Sequence, residues 1–133
     1  MDRVCLTLPD SSAYLPLLRL VLGGVAARAD MTFEAMDDLQ LAVEHVLRGR
    51  EAKEDQITME VEMGDGRINV YLGLLSDAGL RAEILGRSRP ATASMPLLHR
   101  GTVLRRLVDD CGLERETPAG FSLRLTKMCR CDG

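Results

Sequence analysis

Two histidines and four cysteines are the side chains of this 133-residue sequence best suited to ligate metal or attack a substrate. His45 falls inside one helical pattern and His99 at the start of another. Neither has the Asp-x-His or His-x-x-x-His partner of a zinc site or an activated nucleophile, so both read as partly buried structural histidines. Cys5 and Cys111 sit among apolar residues and read as small core hydrophobes. Cys129 and Cys131 form a lone Cys-x-Cys with no second pair at zinc-finger spacing, which predicts two exposed thiols and no structural metal. The chain carries no Gly-x-Ser-x-Gly, no Walker-type Gly-Lys-Ser/Thr and no paired-carboxylate signature of a hydrolase.

Charge is unevenly placed. Residues 30–65 hold eleven acids against three bases, Arg48, Arg50 and Lys53. Residues 81–106 hold six arginines against one acid, Glu83. Such polarity suits docking of a charged protein, with Arg100, Arg105 and Arg106 as the candidate contacts, or an anionic ligand at the basic half. Two plainly solvated faces fit the same pattern. The net charge of −3 gives no overall attraction to nucleic acid or acidic membranes. Aromatics at 3% leave no stacking platform for single-stranded nucleic acid. No 18-residue apolar run occurs and the N-terminus lacks a signal-peptide pattern, so the expectation is a cytoplasmic protein with reduced thiols.

The elements that must position these residues follow from periodicity. The length predicts one domain over 1–133. Residues 3–8 alternate as a short strand, stopped by Pro9-Asp10-Ser11-Ser12. Leu15, Leu18, Leu22, Val25 and Ala29 give a helix over 14–29, in which Gly23-Gly24 either weakens the helix or permits close packing. Thr32 caps a second helix ending near Gly49, with Phe33, Met36, Leu39, Val43, Val46 and Leu47 as its buried stripe, followed by a polar loop over 51–56. Ile57, Met59, Val61 and Met63 alternate, Gly64-Asp65-Gly66 turns the chain, and Ile68, Val70 and Leu72 alternate again. A short helix and a basic loop fall within 76–89, and 89–94 reads as a mobile segment. A further helix spans about 96–110, with Gly112 as its stop, and two last strands cover 113–116 and 121–127. Strands joined by hairpins beside paired helices predict an α+β two-layer sandwich: a mostly antiparallel mixed sheet with its helices on one face.

Several pieces resemble the anti-sigma-factor serine kinase family, which has the histidine-kinase-type ATPase (Bergerat) fold. They are Leu6-Thr7-Leu8-Pro9 with Tyr14-Leu15-Pro16-Leu17-Leu18-Arg19-Leu20, then Asp38-Leu39-Gln40-Leu41-Ala42-Val43-Glu44. Val103-Leu104-Arg105-Arg106-Leu107-Val108-Asp109-Asp110 and the strand over 120–127 complete the match in element order. The resemblance implies a catalytic Glu on the second helix and a magnesium-holding Asn one turn later. Here those positions are His45 and Gly49. It implies an Asp-x-Gly-x-Gly adenine box. Asp77-Ala78-Gly79-Leu80-Arg81 keeps its first two elements and puts Arg third, where a bulky side chain would obstruct close backbone approach. An N-cap Asp beside a chance Gly is the alternative reading of that stretch. It implies a glycine-rich phosphate lid, of which Leu97-Leu98-His99-Arg100-Gly101-Thr102 retains one glycine.

Gly49, Asp77, Gly79 and Gly101 are therefore expected to be vestiges of a nucleotide site, with the fold kept and the ATP chemistry gone. The resulting expectation is an anti-sigma-factor-like regulatory domain that docks a protein partner, a sigma factor or an anti-anti-sigma factor. It would need no cofactor, and by resemblance would form a homodimer through its first strand and first helix. One alternative is an active serine kinase using ATP and Mg²⁺ with His45 as base; the other is a scaffold that inherited the fold.

Overall fold

A computed structural model describes residues 2–49, 54–85 and 100–129. Strand β1 (Asp2–Pro9) leads through a 3-10 turn (Ser12–Tyr14) into helix α1 (Leu15–Arg28) and then α2 (Phe33–Arg48). Strands β2 (Gln56–Gly64) and β3 (Arg67–Leu75) form a hairpin, α3 (Ala78–Ile84) and α4 (Arg100–Leu107) follow, and β4 (Asp110–Thr117) and β5 (Gly120–Met128) close the chain. The strands make one sheet in the order β1-β2-β3-β5-β4, and every ladder among the described residues is antiparallel. The α+β sandwich expected from the pattern is the one found.

Strand alternation decides which side is covered. Ile57, Met59, Val61, Ile68, Val70, Leu72, Leu123 and Leu125 point into the helix layer and are at most 3% exposed. The other face carries Thr58, Glu60, Glu62, Tyr71 and Arg124. There Arg3 bonds Glu62, whose other oxygen accepts the Tyr71 hydroxyl at 2.9 Å. Arg124 ties β5 to Glu114 at 2.7 Å and to Asp110 at 3.0 Å.

Helix packing completes the core. Leu18, Leu22 and Val25 of α1 and Leu39, Val43 and Val46 of α2 meet the sheet. Gln40 joins the two helices by donating to the Arg19 carbonyl at 2.8 Å. A Cβ on Gly23 would make ordinary contact with Gln40 at 3.5 Å, and one on Gly24 would meet nothing within 4 Å. Close packing therefore does not require the glycine pair. Lys127 of β5 crosses into the helix layer, its Nζ donating to the Leu107 carbonyl at 2.8 Å and to Asp38 at 3.3 Å.

The structure corrects several expectations. Phe33, the first residue of α2, is 76% exposed, and the first buried residue of that helix is Ala35. Cys5 is exposed, since alternation puts it on the uncovered face beside Thr7. The late helix ends at Leu107, and Asp110, Cys111 and Gly112 belong to β4. Gly112 thus stops no helix; it lies under the Arg124 guanidinium, which a Cβ there would approach to 2.9 Å. Cys111 is half-buried, and burial pushes its thiol up. Cys129, expected exposed, is 4% exposed, its amide donating to the Gly66 carbonyl of the β2–β3 turn at 2.8 Å. His99, Cys131, the 89–94 segment and most of the 51–56 loop lie outside the described residues.

Candidate functional site

Helix α2 is built to present its last turns. Thr32 starts it with extended backbone (φ −63°, ψ 153°) and a hydroxyl accepting from the Ala35 amide at 3.2 Å. That satisfies one of the amides that every helix start leaves open. Its buried stripe lies on the sheet, which fixes the rotation of the outer face. On that face Glu44 accepts from Arg19 Nε at 2.7 Å, and this bond holds its carboxyl below the usual range.

His45 sits one turn from the end of α2, half-buried, with its Nε2 shielded from solvent. Gly49 is the C-cap at φ −86° and ψ 4°, its amide donating to the His45 carbonyl at 3.1 Å. Magnesium demands oxygen donors in octahedral array. Gly49 has no side chain to offer, and His45 offers a nitrogen. These two residues do not fit a magnesium site of the kind the resemblance implies. Among the described residues no group of three or more His, Cys, Asp or Glu is placed to hold a metal ion.

Asp77 is buried and caps α3, its Oδ1 accepting from the Leu80 amide at 3.1 Å. Gly79 is exposed in the first turn of that helix. Arg81 turns outward to the β4–β5 hairpin, where its Nη2 lies 3.0 Å from Glu116. Its guanidinium is thus engaged in holding α3 to the hairpin. The N-cap reading of Asp77-Ala78-Gly79 describes this geometry directly.

Gly101 opens α4 against the end of α3, where a Cβ would lie 3.2 Å from the Glu83 carbonyl oxygen. Arg105, one turn on, donates to the carbonyls of Glu83 at 3.3 Å and Ile84 at 3.2 Å. A cation at a helix C-terminus satisfies orphan carbonyls and complements the dipole. Arg106 is exposed, and the Arg100 side chain lies outside the described residues. Helix α4 therefore packs against both α2 and α3, bringing Gly101 to the end of α3 opposite the Asp77 cap. Sequence reasoning missed the structural duties of Arg81 and Arg105, because their partners are separated from them by 35 and 22 residues.

No protein-family model matches the chain. The chain is 34% identical over 96 residues to the serine-protein kinase RsbW of Listeria innocua, and equally so to that of a Listeria monocytogenes strain. Over that stretch it is similar in sequence to these two serine-protein kinases. These matches cover 66% of this chain and 58% of each relative, so the chain spans less than two thirds of their length. The serine-protein kinase RsbW of Bacillus pumilus is 23% identical over 142 residues, covering 96% of this chain and 86% of its own. The resemblance to an anti-sigma-factor serine kinase-like family, drawn first from motifs, has independent support in these relatives, and the α+β architecture agrees with it.

Proposed function

We propose that this chain is an anti-sigma-factor-like regulatory domain of the cytoplasm that acts by docking a protein partner, a sigma factor or its antagonist, and that its nucleotide-dependent phosphotransfer has been lost. The observation that carries the reading is the pair His45 and Gly49 on the last turns of α2, where the resemblance asks for a carboxylate and an amide. Calorimetric titration with ATP, with and without Mg²⁺, tests it. No binding heat is expected, and micromolar affinity overturns the loss.

An active serine kinase is the second reading, favoured by the similarity to serine-protein kinases. In that case His45 would take the proton of the attacking hydroxyl. For docking, Arg106 is the basic residue to reverse, since Arg105 closes α3. Arg106→Glu is expected to weaken capture of the partner in a pull-down; unchanged capture removes the basic face from the proposal and leaves an inherited scaffold as the simpler reading.

The expected homodimer has a surface to use. The outward side of α1 shows Leu17 at 44% and Leu20 at 71% exposure, followed by Gly24 and Ala27, with no charge between Arg19 and Arg28. A contiguous exposed apolar stripe marks a surface suited to a partner. Among the described residues β1 is an edge strand of the sheet, pairing on one side only.

A further inference from the structure

Where β1 ends and α1 begins lies a partly open cavity of about 140 Å³. Its floor is made by Leu8, Leu15, Leu18, Leu47 and Ile57, the last four at most 7% exposed. A cavity of about 150 Å³ is large enough for one benzene ring. Asp10, Ser11, Ser12, Tyr14 and Arg48 complete the lining, and these polar groups divide by role.

The rim acceptors are engaged. Asp10 Oδ2 accepts from the Glu54 amide at 2.6 Å, and Ser11 Oγ accepts from the Ala13 amide at 3.3 Å. The other polar groups are open: among the described residues no hydrogen bond holds the Tyr14 or Ser12 hydroxyl, and the Arg48 guanidinium acts on Glu44 through its charge alone. An apolar floor under open donors selects a ligand with a compact hydrocarbon body and one anionic head. Arg48 lines the cavity and is exposed, so no buried charge is left unpaired when the site is empty.

We propose that this cavity is a binding site for a small monocarboxylate with a compact aromatic or branched aliphatic body, its hydrocarbon among Leu15, Leu18 and Ile57 and its carboxylate facing Arg48. The site is separate from the candidate nucleotide residues, since Leu47 and Arg48 line it and His45 and Gly49 do not. It stands whether or not the chain binds ATP. The ligand would rest on the last turn of α2.

Methyl-detected NMR of the full chain, titrated with benzoate and separately with benzyl alcohol, tests the proposal. Benzoate is expected to shift the Leu15, Leu18, Leu47 and Ile57 methyls saturably. Arg48→Met should weaken benzoate about fivefold, the size of one exposed charge pair. Benzyl alcohol, lacking the charge, should change less than about twofold in the same variant. Non-saturating benzoate shifts overturn the site; equal effects of Arg48→Met on both probes, or none on either, overturn the assignment of the anionic head.

Discussion

At position 49 the backbone does not ask for glycine, since φ −86° and ψ 4° are open to other residues. An amide side chain could stand there without refolding the cap. If the missing oxygens are what removed the nucleotide, His45→Glu with Gly49→Asn should gain measurable Mg²⁺-dependent ATP binding by calorimetry over the parent chain. Failure of a well-folded double variant would move the cause to the lid or the adenine box. The Arg19–Glu44 pair gives a second test. Its bond lowers the folded pKa of Glu44 below the ordinary 4.5. A depressed carboxylate stabilises the fold above its unfolded pKa and loses that contribution as pH falls through the folded value. Arg19→Met should therefore cost under about 1 kcal/mol near neutrality, as expected for an exposed pair. Urea unfolding of the two chains should converge below the ordinary glutamate range.

Among the elements, two helices carry glycines of opposite meaning. Gly24 in α1 has open space around its missing Cβ, so Gly24→Ala should raise stability by about 0.5–1 kcal/mol through helix propensity alone, read from denaturant midpoints. Gly101 in α4 faces the Glu83 carbonyl at 3.2 Å and Arg105 at 3.4 Å. Gly101→Ala should instead destabilise, by displacing α4 from α3. The sequence shows that both positions are glycine, and only the contacts separate their roles. The same limit explains the other misreadings. Alternation in 57–63 and 68–72 is governed by one sheet face and was legible, as were the Thr32 cap and the turn over 64–66. Leu104, Leu107, Val108 and Cys111 keep helical spacing beyond the helix end. The ladder pairing Cys111 with Leu125 claims that last residue for the sheet, and this pairing partner is remote in sequence. Cys129 is buried by the β2–β3 turn, a contact no local pattern encodes. Of the candidate site, the positions of His45, Gly49 and the Asp77 cap were legible; the ties from Arg81 and Arg105 were not, because a guanidinium announces charge and not its partner.

At the scale of the whole molecule, the sheet has one polar face knit by ion pairs and one face buried under helices, while the outer side of α1 leaves Leu17 and Leu20 exposed among the described residues. Leu20→Glu should convert a dimer to a monomer by sedimentation while leaving the thermal midpoint of the fold within a few degrees, since Leu20 is 71% exposed in the single chain. A parent chain that sediments as a monomer would remove the assembly proposal altogether. One other feature acts across layers. The Lys127 ammonium joins the sheet to the end of α4 and to Asp38 of α2 at once. Acetylating that amine would cancel its charge and loosen two helices from β5 in a single step, so the covalent state of one side chain would set how firmly the two layers hold together.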